Sequence, residues 1–383
     1  MPDTSLGNQI FDLDFHPKED YVYTGLLTGE IKALKYDTDG SCQHMFNIRP
    51  TKRSCRGLAI DTFGKSLWAI SKDKTIHIID ANSGKIVDER LAAHESPLNR
   101  VIHLLPNMVA TGDDDGVIKL WDPRQSDAIR EYTQHFDFIS DFLWLEDKRQ
   151  LVATSGDGTL SVMDVRINKP EPLAHSEDQE DELLSIVGIK GNTKIVVGTQ
   201  LGILSIFNRN KGWGDCVDRI PGHPSSIDTL CALSGDVILA GSSDGLIRAV
   251  QIFPTKFLGV LADHGEFPIE RMKLDRNAKW LGSVSHDEVL KLTDVEDALE
   301  ESDNEKTGDE AKTGDGDSDG EAETEEAGLG DVSPKKQIND DESDVSDSDG
   351  DRKKKKRRKK SKEAMGSRKK TDTAGDKSFF ADL

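Results

Sequence analysis

The chain has 383 residues, 71 Asp and Glu against 50 Lys and Arg, and 35% hydrophobic side chains. No run is long and apolar enough for a helix to span a bilayer, and the first residues lack the charged-then-apolar order of a secretory leader, so neither a membrane-spanning helix nor such a leader is expected. Cys42, Cys55, Cys216 and Cys231 stand without CxxC spacing, which argues against a zinc site or a disulfide framework, fits a reducing compartment, and leaves buried apolar thiols as the expectation.

In chain order, residues 1–11 precede a first unit running from Phe11 to Asp37, with Phe15-His16-Pro17 before a turn and an outer strand over Cys42 to Ile48. Thr51-Lys52-Arg53 with Arg56 forms a basic loop, read as solvated. The second unit contains Leu67-Trp68-Ala69-Ile70, a turn at Lys72-Asp73-Lys74, a strand from Thr75 to Asp80 and a hairpin turn at Asn82-Ser83-Gly84.

The third unit, Leu91 to Arg124, carries His94, Ala110-Thr111-Gly112, a tight turn at Asp115-Gly116 and the closing Val117-Ile118-Lys119-Leu120-Trp121-Asp122. Its Asp113-Asp114-Asp115-Gly116 lacks the spaced ligands of a calcium loop, so no metal is expected. The fourth unit runs from Ile139 to Arg166 and turns at Ser155-Gly156-Asp157-Gly158. Ser176-Glu177-Asp178-Gln179-Glu180-Asp181-Glu182 then lengthens the connection and reads as a mobile acidic insertion and candidate binding loop. The fifth unit ends Asn210-Lys211-Gly212-Trp213-Gly214, where Trp213 either packs on a neighbouring unit or meets a partner. The sixth includes Pro221-Gly222-His223-Pro224 and a strand from Leu246 to Phe253, and the seventh spans Ile269 to Asp294.

These units keep one period. The turn positions Gly29, Lys74, Gly116, Gly158, Gly202, Gly245 and Glu288 are 42 to 45 residues apart, and six residues beyond them five of the seven positions are Asp or Asn. A second marker, read as an upstream turn, recurs at Asp12, Arg56, Asn99, Ser140, Ser185, Asp228 and Glu270. Histidines precede several of these, at His94, His135, His175, His223 and His264. A His, an Asp-Gly turn and a closing Trp-Asp at this period are the signature of a WD repeat, one blade of a β-propeller. The expected fold is all-β, a seven-bladed WD-repeat propeller over residues 1–295; an all-β sandwich with regular turns is the lesser alternative. Either residues 1–11 or Val295 to Leu299 supply the strand that closes the ring, and the sequence leaves this open. Only the third unit holds a full structural set, with His94, Thr111, Asp115 and Trp121 expected to form one hydrogen-bonded chain. Packing elsewhere is expected to rest on apolar strand faces.

After the propeller, composition changes abruptly. Residues 296–351 are an acidic linker rich in Glu, Asp, Gly and Ser, too poor in apolar side chains to offset chain entropy and so expected to be disordered. Within it Ser343, Ser346 and Ser348 sit beside acidic residues, a context that acidophilic kinases accept. Residues 352–383 are a basic tail, opening with the nine like charges Arg352, Lys353, Lys354, Lys355, Lys356, Arg357, Arg358, Lys359 and Lys360. Such a run reads as a localisation signal and a sequence-independent RNA contact. The chain ends Ser378-Phe379-Phe380-Ala381-Asp382-Leu383, either a docking motif or an inert end.

No P-loop, GxSxG, HExxH or metal-spaced Cys/His constellation is present, and the histidines recur at the blade period, which makes them structural. No catalytic residue, cofactor or metal is expected. Ser71-Lys72-Asp73-Lys74-Thr75-Ile76-His77, Ala110-Thr111-Gly112-Asp113-Asp114, the run Gly241 to Val250, the basic tail and the Phe379-Phe380-Ala381-Asp382-Leu383 ending together resemble the WD repeat-containing protein 55 family, particularly its fungal members. The resemblance covers nearly the whole propeller and the order of features in the tail; the long acidic stretch from Glu300 to Asp351 departs from it. It implies a non-catalytic nucleolar scaffold in rRNA processing and large-subunit assembly, a monomeric ring within a complex of pre-ribosome assembly factors.

An alternative reading is a substrate receptor of a cullin-4 type ubiquitin ligase. Leu120-Trp121-Asp122-Pro123-Arg124 matches a WDxR pattern strictly, and Val162-Met163-Asp164-Val165-Arg166 matches it loosely. Arg124 and Arg166 would then donate forked hydrogen bonds to the ligase adaptor, unless each merely caps its strand. A histone-binding ring with an acidic tail is a third, lesser reading.

Overall fold

The computed structural model describes residues 3–296. They form seven antiparallel sheets of four strands each, six of them built from consecutive strands. The seventh takes Ile269–Leu274, Trp280–Ser285 and Val289–Asp294 and is completed by Asp3–Ser5, which pairs antiparallel with Val289–Asp294. The N-terminal segment therefore closes the ring. Its strand is three residues long, and the Leu6 amide donating to the Glu288 carbonyl (2.8 Å) together with an Asp3–Lys291 ion pair (3.6 Å) extend its grip. With both ends of the ring in one sheet, no blade is left with an unpaired edge at the seam.

The period in the sequence marks one backbone requirement. All seven turn positions have positive φ: Gly29 80°, Lys74 71°, Gly116 82°, Gly158 79°, Gly202 76°, Gly245 83° and Glu288 64°. Glycine enters this region without steric cost; Lys74 and Glu288 do so at about 1 kcal/mol each. At Gly116 a Cβ would meet the carbonyl oxygens of His135 and Asp137 at 2.8 Å, so this turn also needs glycine for room.

The second marker is a correction. The expected upstream turns are β-bulges in the seven innermost strands, where register slips by one residue between Ile10 and Asp12, Cys55 and Gly57, Leu98 and Arg100, Ile139 and Asp141, Leu183 and Ser185, Ile227 and Thr229, and Ile269 and Arg271. A bulge increases local twist and re-aims side chains, which suits strands converging on a narrow hub. Polar residues there mimicked a turn in the sequence.

Seven apolar clusters hold the ring, one at each junction between neighbouring blades. Strand alternation assigns the side chains: Val22 packs toward blade seven with Leu290 and Leu292, whereas Tyr23 packs toward blade two with Leu58 and Leu67. The second strand of each blade is thus buried on both sides, which explains near-continuous apolar runs such as Leu67-Trp68-Ala69-Ile70, while outer strands such as Cys42–Ile48 stay largely exposed. Trp213 belongs to the junction between blades four and five, beside Leu145, Leu160 and Val162, and is buried there. The 176–182 insertion is pinned rather than loose: Gln179 is buried, its amide donates to the Gly158 carbonyl (3.0 Å), and the Glu177 amide donates to Gly214 (2.7 Å).

Candidate functional site

In blade three, Met108–Asp113 and Ile118–Trp121 bring Thr111 and Trp121 onto one face. Trp121 Nε1 donates to Thr111 Oγ1 (2.8 Å), which bonds His94 Nε2 (2.7 Å), and His94 Nδ1 bonds Asp113 Oδ2 (2.8 Å). The carboxylate fixes the proton on Nδ1, so Nε2 accepts from the Thr111 hydroxyl. Burial keeps the His94 imidazole below its usual pKa, against the pull of Asp113. Asp115, expected in this chain, is outside it. It lies in the turn and accepts from Ser96, while Asp113 is two residues from Thr111 on the same strand face and so points inward.

The tie is also not confined to one blade. His135 bonds Asp157 (3.1 Å) and Ser161 (2.7 Å) in blade four, and His264 bonds Asp287 (2.6 Å) and Ser283 (2.8 Å) in blade seven. A search for Thr and Trp misses these because a serine, on either the second or the third strand, takes the hydroxyl role. The Asp before the turn with a His at blade period was the available signal.

The hub carries a group that periodicity alone does not disclose. Arg271 of blade seven reaches across to Asp141 of blade four (2.7 Å) and lies 3.6 Å from Asp12 of blade one. Asp12 also accepts the Leu58 amide of blade two (2.7 Å), and Asp141 accepts the Ile186 amide of blade five (3.3 Å). Burial opposes charge on Asp141, but Arg271 and Arg100 outweigh it and hold the carboxyl below its usual range. At the mouth, Glu270 bonds His286 (2.6 Å) and raises its pKa, and Asp228 is pushed up to about 6 by burial, with Glu270 adding to the rise. The described hub is therefore a fixed array of charge.

Strand order gives the ring two faces. One carries the connectors between blades and the turns between second and third strands; the other carries the remaining turns. Arg124 and Arg166 lie on the second face, 72% and 61% exposed at the side chain. Each closes its fork on its own carboxylate: Arg124 Nε and Nη2 on Asp122 (2.8 and 2.5 Å), Arg166 Nε and Nη2 on Asp164 (2.9 and 2.6 Å). That bond lowers Asp122 to about 2. The forks expected to face an adaptor are occupied within the chain.

Between blades two and three a cleft of about 550 Å³ is lined by Asp88, Arg90, Lys119, Trp121 and Arg124 among others. Arg90 stacks 5.0 Å from the Trp68 ring and 5.5 Å from the Trp121 ring and donates to the Gln125 carbonyl (2.8 Å), which makes it a structural rivet between the blades. Among the described residues no group of His, Cys, Asp and Glu is arranged to hold a metal ion.

Comparison with known proteins decides the family. The WDR55 family model matches residues 1–298. The chain is 61% identical over 303 residues to WD repeat-containing protein JIP5 of Coprinopsis cinerea, covering 77% of this chain and 74% of the relative. It is 38% identical over 301 residues to WD repeat-containing protein 55 of Arabidopsis thaliana (78% and 83% covered) and 34% identical over 284 residues to WD repeat-containing protein 55 of Bos taurus (74% and 74%). The chain belongs to the WD repeat-containing protein 55 family. Its described part is a WD-repeat propeller scaffold. The Arg352 to Lys360 run, Ser343, Ser346, Ser348 and the Phe379-Phe380 ending lie outside the described residues.

Proposed function

We propose that this member of the WD repeat-containing protein 55 family is a non-catalytic nucleolar scaffold in ribosome biogenesis, serving rRNA processing and large-subunit assembly. The observation that carries this reading is the pairing, in one chain of that family, of a propeller with the nine-charge run from Arg352 to Lys360. The ring presents connectors and turns to assembly factors as one molecule within a larger complex. The basic run directs the chain to the nucleus and nucleolus and adds RNA affinity through phosphate contacts, which weaken steeply with salt. Phosphorylation at Ser343, Ser346 and Ser348 would deepen the negative charge beside that run and oppose RNA binding.

The test deletes residues 352–370 in cells. Loss of nucleolar accumulation with build-up of large-subunit rRNA precursors is expected; unchanged localisation and processing would defeat the reading. A pull-down with the ligase adaptor separates the alternative. The occupied forks of Arg124 and Arg166 weigh against it, and adaptor capture abolished by Arg124→Ala with Arg166→Ala would restore it.

A further inference from the structure

Where a repeat departs from its own rule, the departure needs a reason. The residue before the turn is Asp in blades two, three, four, six and seven, and each makes a side-chain hydrogen bond there: Asp73 to the Thr75 amide, Asp115 to Ser96, Asp157 to the Thr159 amide, Asp244 to the Leu246 amide and Asp287 to the Val289 amide. Blade five has Leu201, and it is 69% exposed. Its backbone is nonetheless fixed, since its amide donates to Asp181 (3.0 Å). A second departure is Phe136, directly after His135, which is 89% exposed while its amide donates to Asp157 (2.9 Å). Two apolar side chains are thus held outward on anchored backbone, both on the connector face, and neither contributes to a blade junction.

The surface between them is continuous. Asp157 touches Phe136, a Cβ on neighbouring Gly158 would meet Asp178 at 2.7 Å, and Asp181 of the same loop bonds Leu201. The segments 133–138, 156–159, 176–182 and 200–202 contain seven carboxylates (Asp137, Asp157, Glu177, Asp178, Glu180, Asp181 and Glu182) and no Lys or Arg. Arg219 approaches from the outer strand of blade five, donating to the Gln179 side chain (3.4 Å). Crowding is evident at Glu182, which burial raises above its usual range, with Asp137 and Asp181 adding to the rise.

We propose that Phe136, Leu201 and the 176–182 loop form a docking surface for a Lys/Arg-rich segment of a partner protein that carries an apolar side chain. A purely apolar partner would strip water from these carboxylates without pairing them. An acidic partner or a nucleic-acid backbone would be repelled, whereas a basic segment is steered in by the same charge. Exposed aromatic and aliphatic side chains on a rigid frame supply the anchor that charge alone lacks. This surface is independent of the tail and of any role in ribosome assembly.

The test uses the full chain and a labelled Lys/Arg-rich peptide bearing leucines, followed by fluorescence anisotropy, with a leucine-free twin as control. Phe136→Ser with Leu201→Ser is expected to weaken binding of the leucine peptide about tenfold, and to leave the leucine-free twin unaffected. Glu177→Lys with Glu180→Lys weakens both peptides and flattens the salt dependence. Neither pair removes a buried contact, so melting temperatures stay at the wild-type value and loss of fold cannot mimic the result. Equal binding by the wild type and the Phe136/Leu201 variant overturns the proposal and assigns the peptide to the acidic 296–351 segment. Much tighter binding once residues 352–370 are deleted overturns it differently, by making the chain's own basic run the occupant.

Discussion

Blades three and five have the same four strands and opposite chemistry. Blade three buries a polar chain through His94, Thr111, Asp113 and Trp121. Blade five has Phe207 where blade three has Trp121, fully buried, and no histidine tie. Both keep apolar side chains facing both neighbours: Val109 and Trp121 toward blade two with Ile118 and Leu120 toward blade four in one, Ile195 and Val197 toward blade four with Leu204 and Ile206 toward blade six in the other. The difference shows that apolar burial on two sides makes a blade, and that the hydrogen-bonded tie is an addition some blades can omit. Blade five also has Leu201 at the turn position that Asp holds in five other blades.

The comparison breaks hardest at Phe207. Phe207→Ala should cost about 3–5 kcal/mol, since a fully buried ring leaves a cavity between blades four and five. Chemical denaturation measures it, and a loss below about 1 kcal/mol would show that blade five does not rest on its apolar junctions.

Next comes the pair Asp113→Ala and Asp115→Ala. Asp113 holds His94 and also accepts the Asp115 and Val117 amides (3.1 and 2.8 Å), so its loss should cost about 2–3 kcal/mol. The exposed turn residue Asp115, bonded through its side chain only to Ser96 among the described contacts, should cost within about 0.5 kcal/mol. The reverse order would return Asp115 to the tie.

Trp121→Phe converts the third strand of blade three to the blade-five pattern. It removes one donor to Thr111, trims the Arg90 stack, and should cost about 1–2 kcal/mol while leaving the fold intact.

The smallest effect concerns acid. His94 has a lowered folded pKa, so the unfolded chain takes up its proton first, and stability falls as pH drops through about 6.5 toward the folded value. Comparing melting temperatures at neutral and mildly acidic pH, His94→Gln should show a shallower decline than wild type. His77, His103, His223 and His264 are lowered too and keep part of the slope. An unchanged slope would mean that burial does not hold His94 neutral.

Several features of the ring were legible because they repeat. A left-handed turn position every 42 to 45 residues left Gly29, Gly116, Gly158, Gly202 and Gly245 in plain view, and Cys42–Ile48 was readable as an outer strand. Other features were hidden because no period encodes them. Arg271 and Asp141 are 130 residues apart and meet only because opposite blades share a hub. Asp113 and Asp115 are the same residue type two places apart, and only the end of the strand decides which turns inward.

By itself the sequence determined the number of blades and the position of their turns, because each follows from local backbone demands and alternating apolar faces repeated seven times. Tertiary structure alone decided that Asp3–Ser5 closes the ring, that the hub holds paired charge, and that Phe136 and Leu201 face outward across one acidic loop. Those outcomes depend on which distant segments the ring brings within contact distance, and side-chain spacing along a chain carries no record of that.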